Sequence, residues 1–381
     1  MNALLIGASG YLGGLVAAGL LRDTGALIVA PLRAARTREG ILAPIRDELR
    51  SEGRAECIDF ERIVTVPLPS TADWSALDAV VEHYGIDQIV HCAGSVDYFN
   101  SELLREANIA LTARLLELAK RHAMRRFVFL STAFSSGYID RPVREELHTD
   151  GDGIDPTEYT RTKRSAEALV AAGGVPYLIV RPGIVIGDSR DGRYSGKAYG
   201  LYQFWTAFER LLTDRYHEVL HVISPRVQLQ LVHQNAFKNA FVAACRHLPL
   251  NSIVNLTSRP DALPTARALT QQFCERVARP QQIFFYNKLA DVRADIVDRR
   301  MRMLLEFTAV NSEIAMHAWR FDNTALHTLR SLGLQFVDAT LDTVLTCQNR
   351  FVQGSPRIQA YLAKNADLFA AQPGTVEVGA A

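Results

Sequence analysis

The strongest constraint on the fold is an alternation in the first half of the chain, where short apolar runs are separated by amphipathic stretches. The apolar runs predict six β-strands: Ala3–Ile6, Leu27–Leu32, Ile63–Val66, Gln88–Cys92, Arg126–Ser131 and Tyr177–Arg181. The stretches between them predict helices, among them Leu12–Arg22, Ile41–Glu52 and Glu102–Arg121. Strands that are apolar throughout and separated by helices are typical of a parallel sheet covered on both faces. We therefore expect an α/β protein with a doubly wound parallel sheet.

Composition excludes several other classes. The 381 residues carry a formal net charge of +1, so no overall field favours nucleic acid or an anionic membrane surface. No apolar run approaches the roughly 18 residues that a membrane span needs, and we expect none. The five cysteines include no CxxC pair and the histidines do not cluster, which argues against a disulfide framework or a metal site. We therefore expect a cytoplasmic protein without a bound metal.

A glycine-rich turn follows the first predicted strand directly. Gly7, Gly10 and Gly13 stand three residues apart, between that strand and the first predicted helix. Such a turn lets the backbone approach a pyrophosphate, which the N-terminus of the helix then faces. The turn therefore predicts a dinucleotide-binding loop formed by Gly7, Ser9, Gly10, Tyr11, Leu12 and Gly13.

The end of the second predicted strand indicates which dinucleotide binds. Enzymes that use NAD place an acidic residue there to hold the ribose 2′-hydroxyl. Here the strand runs into Leu32-Arg33-Ala34, with no acid and with Arg33 at that position. Since a guanidinium pairs well with a phosphate, we expect NADPH as the cofactor.

The second half of the chain follows a different pattern. Ser252–Leu256 predicts one more strand, residues 188–225 are rich first in glycine and then in aromatic residues, and a helical pattern begins at Leu263. We expect a dinucleotide-binding Rossmann domain of residues 1–187 and 226–260. Residues 188–225 and 261–371 would form a smaller, mainly helical C-terminal substrate-binding lobe, followed by a disordered tail at 372–381.

Candidate catalytic groups cluster where the predicted strands end. Tyr159 and Lys163 stand at i and i+4 on a predicted helix, a spacing that alone usually means only a solvated helix face. Other strands end in Ser131-Thr132, in Cys92-Ala93-Gly94 and in Pro182-Gly183-Ile184-Val185, all expected at the same edge of the sheet.

This combination resembles the extended short-chain dehydrogenase/reductase family over residues 3 to about 257. The resemblance implies that Tyr159 is the catalytic acid/base, that Lys163 is its electrostatic partner and holds the nicotinamide ribose, and that Thr132 orients the substrate carbonyl. Ser131 is the rival for that last role, and Asn108 matches a structural asparagine of the family. The resemblance also implies cofactor contacts from the strand-end residues Cys92, Ala93, Gly94, Pro182, Gly183, Ile184 and Val185.

The proposed chemistry has a physical basis of its own. A hydride that arrives at a carbonyl carbon creates an oxyanion, which needs a proton and preplaced hydrogen-bond donors. Free tyrosine has a pKa of about 10. We expect the ammonium of Lys163 to lower the pKa of Tyr159.

A narrower resemblance concerns the substrate. The segments Leu130–Phe134, Arg181–Gly192 and Leu32–Ala34 are similar to those of the thioester reductase and fatty acyl reductase branch. That resemblance implies reduction of an acyl thioester by NADPH, with the acyl group carried by coenzyme A or by a separate carrier protein. The third predicted strand ends in Val66–Pro69, without the Gly-Asp pair that contacts adenine in the family.

Two alternatives remain open at this point. A ketone or alcohol dehydrogenase, or a nucleotide-sugar epimerase, would use the same catalytic set. A non-catalytic protein that senses NADP(H) would need the cofactor loop alone. The aromatic stretch from Tyr194 to Phe208 has two equal explanations, an acyl-binding wall or packing within the second lobe. His91 and His233 are expected to be buried histidines and not ligands.

Overall fold

A computed structural model describes residues 2–69, 74–149, 153–212, 215–293, 295, 298–315, 317–371 and 377–379. Their strands are β1 (Ala3–Ile6), β2 (Ile28–Leu32), β3 (Ile63–Pro67), β4 (Gln88–His91), β5 (Arg126–Leu130), β6 (Tyr177–Pro182), β7 (Ile184–Ile186), β8 (Val219–Ile223), β9 (Leu231–His233), β10 (Ser252–Leu256), β11 (Gln282–Tyr286) and β12 (Glu377–Gly379).

The α-helices of the same residues are α1 (Tyr11–Asp23), α2 (Arg38–Ser51), α3 (Ser75–Tyr84), α4 (Ser101–Arg105), α5 (Leu111–Arg121), α6 (Glu158–Ala172), α7 (Leu201–Leu212), α8 (Gln234–His247), α9 (Ala266–Phe273), α10 (Arg299–Ala315), α11 (Thr324–Ser331), α12 (Leu341–Gly354), α13 (Pro356–Lys364) and α14 (Ala366–Ala371). None of them is both long and apolar enough to cross a membrane.

The chain divides into two compact units. Unit 1 comprises residues 1–183, 236–257 and 320–336, and unit 2 comprises residues 184–235, 258–319 and 337–381. The expected division placed 226–235 with the sheet and 320–336 with the helical lobe. Residues 320–336 belong to unit 1 because their backbone binds to it: Val143 N donates to Arg320 O, and Asn255 Nδ2 donates to Asp322 O.

Unit 1 is built on a seven-stranded sheet in the order β10-β6-β5-β4-β1-β2-β3, and every neighbouring pair is parallel. The expected doubly wound Rossmann sheet is confirmed, and each predicted strand is present with ends that differ by at most one residue. The chain reverses its direction of travel across the sheet between β1 and β4, so a crevice opens there at the carboxyl ends of the strands.

Helix Glu102–Arg121, expected as one element, contains a π-helical turn. Residues Glu106–Ala110 form this turn between α4 and α5. The turn buries Asn108, whose Nδ2 donates to Ser95 O and Thr162 Oγ1 while its Oδ1 accepts from Ser95 N. Such turns occur frequently at functional sites. Asn108 therefore ties the loop after β4 to helix α6, in keeping with the structural role implied for it.

Unit 2 contains more β-structure than the sequence indicated. Strands β8, β11 and β12 form a parallel sheet, and β7 pairs with β9. β12 corrects the expectation of a disordered tail for three of its ten residues, because their backbone pairs with the edge of β11. The other seven lie outside the described residues.

The aromatic stretch is mainly packing within unit 2. Tyr202, Trp205 and Phe208 are buried in its core, whereas Tyr199 is half exposed. The ring of Tyr194 stacks on that of Tyr202 with their centroids 3.7 Å apart. His233 is also buried, between Gly187 O and Thr343 Oγ1. These contacts favour the packing explanation over an acyl-binding wall.

Candidate active site

The glycine turn forms a cradle at the carboxyl end of β1. Gly7 has a φ of +93°, and a Cβ there would lie 2.6 Å from Ala93 N, so only glycine fits. A Cβ on Gly13 would lie 2.0 Å from Gly7 O, so the start of α1 packs directly on the turn. Gly10 is the N-cap of α1 and has no side chain to cap the first turn. Exposed helix amides next to a close backbone approach fit a pyrophosphate.

The segment after β4 forms the adjacent wall of this crevice. Cys92 N donates to Ile6 O, which continues the pairing of β4 with β1 beyond the end of the strand. Cys92 and Ala93 are half-buried, and Gly94 is exposed. A Cβ on Gly94 would lie 2.7 Å from Asn108 Oδ1 and 4.0 Å from Lys163 Nζ. The backbone here thus approaches both the structural asparagine and the candidate catalytic lysine.

Arg33 follows the last residue of β2 and is exposed. Its carbonyl accepts from Arg36 N at 2.8 Å, which closes a turn and leaves the guanidinium outside the sheet. β2 is the neighbour of β1, so Arg33 and the glycine cradle follow adjacent strand ends. This arrangement fits an adenine-ribose 2′-phosphate at Arg33.

Helix α6 carries Tyr159 and Lys163 because of where it begins. Thr157 is its N-cap, with a hydroxyl that accepts from Thr160 N at 3.3 Å, so Tyr159 lies in the first turn. Lys163 follows one turn later on the same side of the helix. The helix packs against β5 and β6, the strands that end beside the predicted site.

Lys163 is buried, with only 4% of its surface exposed. Its Nζ donates to Leu130 O at 2.8 Å and lies 4.2 Å from the centroid of the Phe129 ring. Burial lowers the pKa of Lys163 to about 8, and Glu167 opposes this shift. The ammonium is therefore held at the end of β5 in an environment that only partly supports its charge.

The state of Tyr159 differs from the expectation. Burial raises the pKa of Tyr159, the neighbouring Tyr98 raises it further, and a hydrogen bond with Thr132 lowers it in part. The expected lowering by Lys163 is wrong for this structure, because that ammonium is directed to Leu130 O. Tyr159 is thus a protonated phenol at neutral pH, which suits a proton donor.

Thr132 and Ser131 are separated by the alternation of an extended chain, in which successive side chains point to opposite sides. The Thr132 hydroxyl forms a hydrogen bond with Tyr159 and also accepts from Phe134 N at 3.4 Å. The Ser131 hydroxyl instead lies beside Glu167 and helps to lower the pKa of that carboxyl group. Thr132 is therefore brought to Tyr159, and Ser131 is not.

The remaining predicted cofactor residues fall in both units. Pro182 ends β6, and Gly183 N donates to Leu256 O at 3.0 Å within unit 1. Ile184 and Val185 belong to β7 in unit 2. Ser9 is exposed in the glycine turn, while Tyr11 and Leu12 are half-buried in the first turn of α1.

Two residues at the site were not predicted from the sequence. The ring of Tyr98 packs edge-on against that of Tyr159, with their centroids 5.7 Å apart and their planes at 84°. Glu167 lies on α6 one turn beyond Lys163 and is buried. The continued spacing of four residues could have indicated Glu167, whereas the position of Tyr98 depends on the conformation of a loop.

Metal chemistry finds no support at the described residues, where no three His, Cys, Asp or Glu side chains are grouped as ligands. All five cysteines are free. His91, expected to be buried, has no exposed surface, and its Nε2 lies 3.0 Å from Thr112 Oγ1.

Comparison with known proteins agrees with this geometry. A family model described as "Male sterility protein", an NAD-binding family, matches residues 5–224, more than half of the chain. The chain belongs to this family. It is therefore an NAD(P)-dependent enzyme of the extended short-chain dehydrogenase/reductase group, as the resemblance implied.

Relatives extend the comparison. A linear gramicidin synthase from Brevibacillus parabrevis is 32% identical over 206 residues, which is 50% of this chain but 4% of that protein. A dTDP-6-deoxy-L-talose 4-dehydrogenase (NAD(P)(+)) from Kitasatospora kifunensis is 31% identical over 128 residues, which is 32% of this chain and 40% of that protein. The chain thus matches only part of either relative.

A solved structure supports the fold. The terminal R domain from the myxalamid PKS-NRPS biosynthetic pathway aligns with a TM-score of 0.69 and 22% identity, covering 92% of this chain and 90% of that domain.

Proposed function

We propose that this chain reduces an acyl thioester with NADPH, releasing a thiol and an aldehyde. The observation that carries the proposal is the meeting of Thr132, Tyr159 and Lys163 at a strand edge next to a glycine cradle, in a member of the male sterility protein family. The similarity to a gramicidin synthase and to an R domain of a PKS-NRPS pathway favours an acyl group presented by a carrier protein.

The residues of the chain have separate roles in this reaction. A bound NADPH would supply the hydride, which adds to the carbonyl carbon of the thioester. Tyr159 and Thr132 would donate hydrogen bonds to the resulting oxyanion. As the carbon–oxygen double bond re-forms, the carbon–sulfur bond breaks and the thiolate leaves. If a second hydride reduces the aldehyde, Tyr159 would give its proton to the alkoxide and yield an alcohol.

Lys163 would act on the cofactor side of the site. Its Nζ lies about one contact distance from the position of a Gly94 Cβ, so it is close to the wall that a nicotinamide would face. We assign it to the nicotinamide ribose and to a positive potential near the oxyanion. The residues of the glycine cradle, Arg33 and the segment 92–94 would hold the rest of NADPH.

The test is a substrate panel with the full chain. NADPH is incubated with acyl-pantetheine bound to a carrier protein, acyl-coenzyme A, a ketone and a sugar nucleotide, and absorbance of the reduced nicotinamide is followed while aldehyde is trapped. We expect oxidation with the thioesters, fastest on the carrier. Tyr159→Phe should lower turnover by on the order of 10² or more with NADPH binding retained. Oxidation with the ketone or sugar nucleotide alone would overturn the thioester assignment.

A second candidate is a dehydrogenase that acts on a sugar nucleotide, which the talose dehydrogenase match favours. It uses the same catalytic set. The same panel separates the two, because a sugar nucleotide carries no thioester and would yield no thiol.

A further inference from the structure

Helix α6 carries a third ionisable group in line with the catalytic pair. Glu167 stands four residues beyond Lys163 and eight beyond Tyr159, so all three lie on the same side of the helix. Its side chain is almost fully buried, at 1% exposure. A buried carboxylate is costly unless it is paired, so its position requires an explanation.

Arg181 of β6 fixes this carboxylate with two hydrogen bonds. Arg181 Nε donates to Glu167 Oε1 at 3.0 Å, and Arg181 Nη2 donates to Oε2 at 2.6 Å. The arginine is held in turn by the carbonyl oxygens of Arg144 and Glu146, and it has no exposed surface. A bidentate pair anchored in this way has one geometry. The Glu167 carboxylate therefore cannot leave the helix face.

The charge state of Glu167 follows from its neighbours. Burial by itself would raise the pKa of Glu167, but Arg181 and the hydroxyls of Ser131 and Ser135 outweigh it and hold that pKa below the usual value. Glu167 is thus ionised at neutral pH. His148, which also feels Glu167 and Arg181, has a lowered pKa because of burial and is neutral.

Few charges face Lys163. On β4, burial lowers the pKa of His91 to about 3 and raises that of Cys92, so both are neutral. Tyr159 on α6 is neutral as well. Among these neighbours Glu167 bears the negative charge that opposes the cost of burying the Lys163 ammonium.

We propose that Glu167, fixed by Arg181, is a positioning residue that keeps the Lys163 ammonium charged and directed to Leu130 O at the catalytic edge. This inference rests on the proposed roles of Tyr159 and Lys163. The Ser131 hydroxyl, at the end of β5, belongs to the same assembly and links it to the strand that also carries Thr132.

The experiment compares pH profiles of the wild type and Glu167→Gln in the full chain. Two readouts are followed, NADPH binding and kcat/KM with a carrier-bound thioester. The wild type should lose both as pH rises through about 8, the pKa of Lys163. In Glu167→Gln this alkaline limb should move down by about one pH unit, the usual scale for losing a nearby opposite charge.

Two further variants separate this role from plain structural support. Glu167→Gln leaves Arg181 buried without its partner, so it should also lose stability. The double variant Glu167→Gln/Arg181→Gln places a neutral pair there and should recover thermal stability while the alkaline limb stays shifted. Glu167→Asp retains the charge and should keep the wild-type limb.

Three outcomes would overturn the inference: an alkaline limb that returns to normal together with stability in the double variant, an unchanged limb in Glu167→Gln, or no limb near pH 8 for NADPH binding in the wild type. Because NADPH binding is measured without a thioester, failure of the thioester assignment is recognised separately.

Discussion

At the scale of single residues, the candidate site shows which inferences a sequence supports. The spacing of Tyr159 and Lys163 and the hydroxyls after β5 could be identified directly, because helical and extended periodicities fix which side chains share a side. The direction in which Lys163 points could not, since it depends on Leu130 O and the Phe129 ring. That is why the pKa of Tyr159 was expected to fall and is instead raised by burial.

The two hydroxyls after β5 give a prediction at this scale. Thr132→Val should lower turnover by at least about tenfold with NADPH affinity near normal, because it removes a donor to the oxyanion and a partner of Tyr159. Ser131→Ala is the matched control: it removes a hydroxyl of similar burial that lies beside Glu167, and it should cost less. Steady-state kinetics with cofactor titration provides the measurement. A greater loss in Ser131→Ala would reverse the assignment of the two residues.

At the scale of elements, the apolar strands were predicted to within one residue because burial on both faces leaves little choice of side chain. Strands β8, β9 and β11 were missed. His221, Tyr286 and His233 interrupt their apolar pattern, and each of these polar groups is satisfied only by the tertiary structure: His221 by Tyr286, and His233 by Gly187 O and Thr343. The π-helical turn at Glu106–Ala110 likewise depends on Asn108 finding partners on the loop after β4 and on α6.

The junction of β1 with α1 gives a prediction about an element. Gly13→Ala places a Cβ 2.0 Å from Gly7 O, so the helix must move away from the turn. It should lose about 1–3 kcal/mol of stability, the usual cost of overpacking, and most of its affinity for NADPH. Gly14→Ala is the control in the next position, where the nearest atom is Ala8 O at 3.8 Å.

Gly14→Ala should therefore be neutral or stabilise the protein by up to about 1 kcal/mol, since alanine is the better helix former. Chemical denaturation and NADPH titration of both variants test this. If Gly13→Ala bound NADPH as the wild type does, the turn would not be the cofactor cradle.

At the scale of the whole molecule, the course of the chain between the two units exceeded what local patterns reveal. The stretch 320–336 returns to unit 1 through contacts that are distant in sequence. The Glu145 carboxylate accepts from Asn255 N and Ala325 N, and Asn255 Nδ2 donates to Val143 O and Asp322 O. No periodicity within 320–336 indicates these partners. Composition and motif spacing could thus predict a large sheet domain and a second lobe, but not which late segment joins which.

Cofactor preference is a property that the whole molecule reports, because a ligand that binds only the folded chain raises its stability. At a concentration of 100 times its Kd, NADPH should stabilise the fold by about 2.7 kcal/mol. NADH at the same concentration should do less, since it lacks the 2′-phosphate assigned to Arg33. Arg33→Ala should narrow the difference between the two cofactors by about 1–3 kcal/mol, the scale of a charged hydrogen bond.

Arg36→Ala is the matched control for this experiment. Arg36 is exposed in the same turn, three residues further from β2, and its backbone N–H, which the substitution retains, makes the hydrogen bond to Arg33 O. This variant should keep the wild-type difference between NADPH and NADH in thermal unfolding. Equal stabilisation of the wild type by both cofactors would contradict the NADPH assignment. An equal loss in both variants would indicate a diffuse effect of positive charge at the end of β2, and not a phosphate contact made by Arg33.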